Sequence, residues 1–308
     1  LIPPFGKESG GANRWFRIGG FSFQPSEITK IILLIYMADF LSRKKHILHQ
    51  FREGFLPALL VMALVVGLIL LQPDFGTAMA IATVLLFMFF LAGVKIPQLG
   101  LTVACFIPVS VFYILLKPHA WRRIMAFLAP ERDPQGIGFQ IIQSFVALGS
   151  GGLFGVGLGQ SKQKLFYLPA SHTDFIFSII GEELGLLGTL SVVVLFFLFT
   201  WSCYRILRKV QDGFGRLLGF GITAMITLEA LVNIGVACGA LPTKGLPLPF
   251  ISYGGSALIA NLIGVGFLLN ISRYGIQHDS VFSSDFLEAG ELYFVPKHFR
   301  FREKTRKR

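Results

Sequence analysis

Charged residues are scarce in this sequence, and their scarcity excludes most classes of soluble protein. Only 15% of the 308 residues are Asp, Glu, Lys or Arg, against about 25% in an ordinary soluble domain. Hydrophobic residues make up 53% of the chain and aromatic residues 14%. This balance excludes a disordered chain, a nucleic-acid-binding tail protein and an ordinary cytosolic enzyme, and the recurring apolar runs predict a polytopic membrane protein.

Cysteine is also sparse, and it supplies neither a disulfide framework nor a zinc site. The three cysteines, Cys105, Cys203 and Cys238, lie in apolar runs without Cys-x-x-Cys or Cys/His spacing. The net charge of +11 fits basic residues gathered on the cytoplasmic side, near anionic head groups. We therefore expect membrane lipids and no nucleic acid as partners. The chain begins with Leu rather than Met, and we expect an incomplete N-terminus.

Seven apolar segments predict an all-α polytopic membrane fold. The fifth segment is expected to bend at Gly181 or Gly185. The predicted spans are Glu27–Leu41, Phe55–Leu71, Gly76–Val94, Leu99–Leu116, Phe175–Tyr204, Leu217–Cys238 and Ser256–Ile271. Lys and Arg concentrate in alternate connections and at the C-terminus. The positive-inside rule therefore places the C-terminal tail in the cytoplasm and the residues before Glu27 outside.

One predicted outer connection, residues 117–175, is far longer than an ordinary loop. Loops of about 59 residues in a compact protein are usually functional or disordered. This one is apolar and glycine-rich in part, so we expect an ordered segment with short helices against the membrane surface. The sequence predicts that function resides there.

Asp174 is the candidate general base, because it stands where this loop enters a membrane helix. Partial desolvation at such an interface raises the pKa of a carboxylate toward neutrality. A helix N-cap formed by Thr173 or Asp174 is the simpler alternative. His172 is placed to orient the base or to bind a phosphate. Glu182 and Glu183 face differently from Asp174 along the helix, and we expect them to pair with Lys or Arg, or with backbone groups, on neighbouring helices.

Other predicted substrate-binding residues are cations and a glycine-rich turn near the outer face. Lys30 either pairs with Glu27 one turn earlier or binds a phosphate. The loop ALPTKGLPLPFISYGGSALI forms either a tight re-entrant turn or an anion site of backbone N–H groups. The remaining candidates are Lys244, Arg122, Arg123, Ser252, Tyr253, Gly254, Gly255 and Ser256.

Several long motifs together resemble the SEDS family of cell-shape and division proteins, which includes FtsW, RodA and SpoVE. They are NRWFRIGGFSFQPSEITK, LLQPDFGTA, ERDPQGIGFQIIQS, GLGQSKQKLFYLPASHTDFIFSIIGEELG and LPTKGLPLPFISYGGSALI. They occur in family order and reach to about Tyr274. The motifs KLFYLPASHTDFIF and LPTKGLPLPFISYGG are most similar to those of the division branch, FtsW. Phe166 stands where that branch often has an acidic residue, and PASH replaces the commoner PEAH.

The resemblance implies ten spans, of which seven are visible here, with residues 1–274 forming the membrane domain and 275–308 a basic cytoplasmic tail. It implies a peptidoglycan glycosyltransferase that polymerises lipid II at the outer face of the bacterial cytoplasmic membrane, at the division septum. It implies a class B penicillin-binding transpeptidase and other division proteins as partners. Asp174 matches the family's essential aspartate, and Lys30 matches a lysine important in the family.

The mechanism implied is inverting transfer from a polyprenyl-diphosphate donor, with Asp174 as base and nearby cations stabilising the leaving group. No cofactor and no protein metal ligands are evident, while a divalent cation, Mg or Mn, would suit the diphosphate. Two alternatives involve no bond formation. One is a lipid II flippase, and the other is a non-catalytic scaffold that recruits the transpeptidase.

Overall fold

The computed structural model describes the backbone over residues 6–9, 12–18, 21–132, 136–243 and 245–292. Side chains are described at 15–16 and over 23–132, 136–165, 168–243 and 245–273. Helices dominate these ranges, and each of the seven predicted spans is a helix. Their bounds are α1 Pro25–Arg43, α2 Leu56–Leu71, α3 Phe75–Ala92, α4 Ile96–Leu116, α5 Pro118–Leu128, α6 Ile137–Ser150, α7 Ile176–Leu207, α8 Gly213–Ala237 and α9 Gly255–Leu292.

Within the described residues, six helical segments are long and apolar enough to cross a membrane. They are Phe51–Leu71, Phe75–Ala92, Ile96–Leu116, Ile176–Leu207, Gly213–Ala237 and Gly255–Arg273. The first predicted span corresponds to α1, which has 19 residues but carries charged side chains at Glu27, Lys30, Asp39 and Arg43. Its length of about 28 Å is close to the thickness of a hydrocarbon core. Its charged side chains, however, exclude it from the six segments that are apolar enough to cross a membrane.

The centre of the bundle is formed by α1, α3 and α8, which pack against one another. Met37 of α1, Leu85 and Met88 of α3, and Ile222 of α8 are almost completely buried there. Helix α2 packs on α3, α9 packs on α1 and α8, and α7 packs along α8. In contrast, α4 lies at the periphery, where Thr102 is its buried residue.

The long connection 117–175 is ordered, as expected, and contains α5, a 3₁₀ turn at Pro130–Arg132, α6 and a π-helical turn at Gln163–Tyr167. Helix α6 does not lie alone on a surface, because it packs against α7 and reaches α8. Its fully buried Ser144 donates to the carbonyl of Ala237, 2.8 Å away, and lies 2.6 Å from the hydroxyl of Ser178. These polar contacts join three helices, and they fix α6 to the bundle.

Helix α7 is broken at Gly185, one of the two predicted bend positions. Gly185 has φ 66° and ψ −160°, a combination open almost exclusively to glycine. The segment that follows α6 enters this break: Val156 N–H donates to Glu182 O at 2.9 Å, and Leu186 N–H donates to Gly152 O at 2.9 Å. The backbone groups released by the break are thereby paired.

A small antiparallel sheet precedes α1, and the sequence analysis did not predict it. Strands β1 Gly6–Ser9, β2 Ala12–Ile18 and β3 Phe21–Phe23 pair in sequence order. The sheet contacts α1 and α9, with β3 leading directly into α1. At the opposite end of the chain, α9 continues past the predicted span end at Ile271 and across the predicted domain boundary at 274, as far as Leu292.

Candidate functional site

Asp174 stands at the end of a tight turn that leads into α7. The backbone N–H groups of Thr173 and Asp174 both donate to the carbonyl of Ala170 at 3.1 Å. Ala170 has φ 55°, a left-handed conformation that costs a non-glycine residue roughly 1–2 kcal/mol. Such backbone outliers cluster at functional sites. Phe175, directly after Asp174, is almost fully buried and anchors this turn in the bundle.

A second segment, residues 239–254, holds this turn from the other side. Asn233 of α8, which is 1% exposed, donates its side-chain amide to the carbonyls of Asp174 and Leu246, at 3.0 and 2.8 Å. Ser252 donates to the carbonyl of Thr173 at 2.6 Å. The N–H of Tyr253 donates to the carbonyl of His172 at 2.9 Å. Asp174 is therefore positioned by hydrogen bonds to its backbone and to its neighbours.

The Asp174 side chain faces a cavity of about 130 Å³ between α5, α6 and α8. His119, Arg123, Asn233 and Thr243 also line this cavity. Gly245 lies beside the carboxylate, and its φ of 66° is a left-handed conformation that favours glycine. Burial raises the pKa of the Asp174 carboxyl, and the Arg123 guanidinium acts in the opposite direction. A carboxylate with a raised pKa can accept a proton near neutral pH.

A larger cavity of about 290 Å³ adjoins the first, and the two share His119, Arg123 and Thr243. Asp74, Phe75 and Tyr113 also line the larger cavity. Asp74 caps α3 by accepting from the N–H of Thr77 at 3.1 Å, and the rings of Phe75 and Tyr113 stack with centroids 5.6 Å apart. Both cavities combine apolar walls with a few polar groups, as ligand sites do.

Lys30 lines neither cavity and lies in a buried ion triad. Its ammonium is 2.9 Å from Glu27 of the same helix and contacts Glu229 of α8. The three side chains are at most 4% exposed. The predicted pairing of Lys30 with Glu27 is present, and Glu229 is an additional partner 199 residues away. The triad joins α1 to α8 one helical turn before Asn233, while substrate binding by Lys30 stays a prediction.

The other predicted binding residues are spread around the site. His172 and Arg122 are exposed, and neither lines one of the two cavities. Arg123, by contrast, lines both. Lys244 lies outside the described residues.

The predicted glycine-rich turn connects segments of the fold. The Ser252 hydroxyl accepts from the N–H of Leu248 at 2.7 Å as well as donating to Thr173. Ser256 accepts from the N–H of Gln24 at 3.1 Å, which ties the start of α9 to the start of α1. Gly254 and Gly255 immediately precede Ser256, and the ring of Tyr253 is 82% exposed. Anion binding by this turn stays a prediction.

Glu182 and Glu183 pair with groups of the segment that enters the α7 break. Glu182 accepts from the hydroxyl of Ser161 and from the N–H of Lys162, the latter at 2.9 Å. Glu183 accepts from the Lys164 ammonium at 2.6 Å. The expectation of cationic and backbone partners is confirmed, although these partners come from the preceding loop rather than from neighbouring helices.

Sequence reasoning missed several polar residues of the site, among them His119 and Asn233. A usable signal was present: Glu229 and Asn233 are polar and four residues apart within an apolar span, and His119 precedes Arg123 by four residues on α5. Among the described residues, no cluster of three or more His, Cys, Asp or Glu side chains is arranged to hold a metal ion.

The fold and the site together define a polytopic helical membrane protein with a carboxylate in a polar cavity at one end of the bundle. The family model described as "Cell cycle protein", which covers FtsW, RodA and SpoVE, matches residues 1–277. The chain therefore belongs to the FtsW/RodA/SpoVE family of cell cycle proteins.

Curated relatives and solved structures agree with this assignment. The "Probable peptidoglycan glycosyltransferase FtsW" of Trichlorobacter lovleyi is 48% identical over 272 residues, covering 88% of this chain and 71% of the relative. "Stage V sporulation protein E" of Bacillus subtilis is 43% identical over 274 residues, covering 89% and 75%.

Among solved structures, a chain of a peptidoglycan synthase complex that coordinates polymerization and crosslinking matches with a TM-score of 0.71. It is 32% identical and covers 89% of this chain and 77% of its own. The rod shape determining protein RodA of Thermus thermophilus matches with a TM-score of 0.62. It is 30% identical and covers 88% of this chain and 72% of its own.

Proposed function

We propose that the protein is a peptidoglycan glycosyltransferase that polymerises lipid II, with Asp174 as the general base. The observation that carries this proposal is the placement of Asp174, partly buried, in a cavity that it shares with Arg123. Burial raises the pKa of the carboxyl, which suits it to accept a proton. The guanidinium of Arg123 can stabilise the negative charge that develops on the leaving group. The names of the relatives point to the same reaction.

The chemistry requires one proton acceptor and one stabilised leaving group. Asp174 takes the proton from the acceptor hydroxyl of one lipid II molecule, and the oxygen forms a bond to the anomeric carbon of the donor. The bond between that carbon and the diphosphate oxygen breaks, and the polyprenyl diphosphate leaves with the electron pair. Attack from the face opposite the leaving group inverts the anomeric centre. Arg123 is the described cation best placed to stabilise the departing diphosphate.

The proposal includes a setting for the reaction. The protein acts in the bacterial cytoplasmic membrane, with the Asp174 end of the bundle on the outer side, the C-terminus in the cytoplasm and the division septum as its site. A class B penicillin-binding transpeptidase is the proposed partner, which agrees with the peptidoglycan synthase complex among the structural neighbours. A divalent cation, Mg or Mn, would suit the charge of the diphosphate.

Polymerisation of labelled lipid II tests the proposal directly. The protein would be purified in detergent with its transpeptidase partner, and the wild type would be compared with Asp174→Asn. Asn keeps the size of the side chain but cannot accept the proton. Asp39→Asn is the matched control, because Asp39 forms a surface pair with Arg43 at the other end of α1. We expect polymer from the wild type and from the control, and none from a folded Asp174→Asn.

Detergent removes the two-sided membrane, so transport across a bilayer cannot contribute to this signal. Absence of polymer from a wild-type protein that still binds the transpeptidase would overturn the proposal in favour of a flippase or a scaffold. Polymer from both the wild type and Asp174→Asn would keep the enzyme and remove Asp174 as its base.

A further inference from the structure

Helix α5 contributes a wall that the two cavities of the site share. His119 and Arg123 line both cavities, and they lie four residues apart, on one face of α5. Asp174 lies in the smaller cavity and Asp74 in the larger one. Arg123 also donates to the carbonyl of Thr243 at 3.4 Å, and Thr243 likewise lines both cavities.

The two cavities differ in character. The smaller one holds polar side chains near Asp174, namely Gln140, Asn233 and Arg123. The larger one is walled mainly by apolar side chains, including Phe75, Tyr113, Ile114 and Ile124. Tyr113 is fixed by the donation of its hydroxyl to the carbonyl of Leu70 at 3.2 Å, so this apolar wall is preorganised.

A polyprenyl-diphosphate-linked sugar has the same order of chemical groups: an apolar chain, a strongly anionic centre and a polar sugar. The shared wall is the point at which an anion would meet both His119 and Arg123. Nitrogen donors of these two side chains suit phosphate oxygens, and arginine in particular matches their geometry. A chain in the larger cavity and a sugar in the smaller one would put the bond between sugar and diphosphate close to Asp174.

We propose that His119 is a further substrate-binding residue, which together with Arg123 binds the diphosphate of the donor at the wall shared by the two cavities. The first isoprene units then occupy the larger cavity, against Phe75 and Tyr113, and the donor sugar points toward Asp174. The assignment rests on the proposed glycosyltransferase function, and it fixes the direction in which the donor lies in the site.

Equilibrium binding of labelled farnesyl diphosphate to the detergent-purified complex tests this assignment without any turnover. Charged hydrogen bonds contribute on the order of 1.5–3 kcal/mol, so His119→Ala is expected to weaken binding about tenfold or more. His119→Gln keeps an N–H donor and is expected to retain most of the affinity. His49→Ala, the same substitution at an exposed position in the α1–α2 connection, is expected to bind like the wild type.

The preference of the protein for farnesyl diphosphate over farnesyl monophosphate distinguishes a direct binding role of His119 from a structural role. Loss of a purely structural residue would weaken both ligands alike, whereas loss of a diphosphate ligand lowers the preference itself. Ile114→Trp, which fills the larger cavity, is expected to weaken farnesyl diphosphate but not inorganic diphosphate. Thermal unfolding of each variant verifies that it is folded.

Unchanged affinity and preference in a folded His119→Ala would overturn the assignment, even if the wild type polymerises lipid II. An equal loss for monophosphate and diphosphate would also overturn it. Failure of the wild type to polymerise, with diphosphate binding that still depends on His119, would instead overturn the glycosyltransferase proposal and leave a diphosphate-binding site in place.

Discussion

Replacing Lys30 with Met is expected to destabilise the protein by about 3–5 kcal/mol, the usual cost of removing one member of a buried ion pair. The reason lies in the triad, where a single ammonium serves both Glu27 and Glu229, each at most 4% exposed. Without the cation, two carboxylates remain close together and away from water. Each 1.4 kcal/mol is a factor of ten in the folding equilibrium, so the change is a factor of about 10²–10³ or more.

Unfolding in detergent, followed by circular dichroism as denaturant increases, measures this loss. Lys45→Met is the matched control, because Lys45 is exposed after the end of α1 and its removal is expected to change stability by less than about 0.5 kcal/mol. The triple variant Glu27→Gln/Lys30→Met/Glu229→Gln removes the two negative charges together with the positive one. We expect it to recover most of the stability, since a neutral buried set no longer contains an unpaired charge.

Lys30→Met as stable as Lys45→Met would refute this reasoning, because the triad would then not hold α1 to α8. A triple variant that regains stability but no polymerisation of lipid II would show that the ammonium of Lys30 is necessary for more than neutralising its neighbours. Recovery of both properties would identify Lys30 as a residue that acts through α1 and α8.

Three further predictions concern the carboxylate, its support and the break in α7. Burial raises the pKa of Asp174, and a general base must be ionised. We therefore expect kcat/KM to fall as pH decreases, with a midpoint above the ordinary Asp pKa of about 4. Arg123→Ala removes a cation that lowers the pKa of Asp174, so it is expected to move this midpoint to higher pH. Asn233→Leu leaves two buried carbonyls without their donor and is expected to cost about 2–4 kcal/mol of stability, with a larger proportional loss of kcat. Gly185→Ala places a Cβ 2.4 Å from the Gly155 nitrogen and is expected to destabilise the protein by at least about 1–3 kcal/mol in thermal unfolding.

Matched controls make each outcome decisive. Asn270→Leu, on the exposed side of α9, and Gly67→Ala, where an added Cβ meets nothing within 4 Å, are both expected to be nearly neutral. An unchanged pH midpoint of kcat/KM in Arg123→Ala would mean that the Arg123 cation does not affect the pKa of Asp174. Stability of Asn233→Leu or Gly185→Ala equal to that of its control would contradict the contacts described for it.

The helices could be located from sequence because apolar runs of this length have few alternatives to a membrane helix. The bend in the fifth span was likewise readable, since Gly185 is one of few residues able to adopt its conformation. The small sheet before α1 was not predicted. Its strands of four, seven and three residues are short, and short segments carry little periodic signal.

The site was predicted less completely than the fold. Asp174 was found through its place at a loop–helix junction, whereas Asn233 was overlooked inside an apolar span. The partnership of Lys30 with Glu229 joins positions 199 residues apart, and no local pattern specifies such a contact. Similarly, the insertion of the segment after α6 into α7 depends on backbone groups, which every sequence possesses equally.

The break at Gly185 also bears on how deep the acidic residues lie. At 1.5 Å per residue, the 32 residues of α7 would extend about 48 Å, well beyond a hydrocarbon core of about 30 Å. Residues 186–207 alone rise about 33 Å and are sufficient to cross it. The first part of α7, with Glu182 and Glu183, can thus stand in the head-group layer. The two glutamates and the loop that they hydrogen-bond would then lie above the hydrocarbon core. Carboxylates at that level avoid the cost of placing a charge in hydrocarbon.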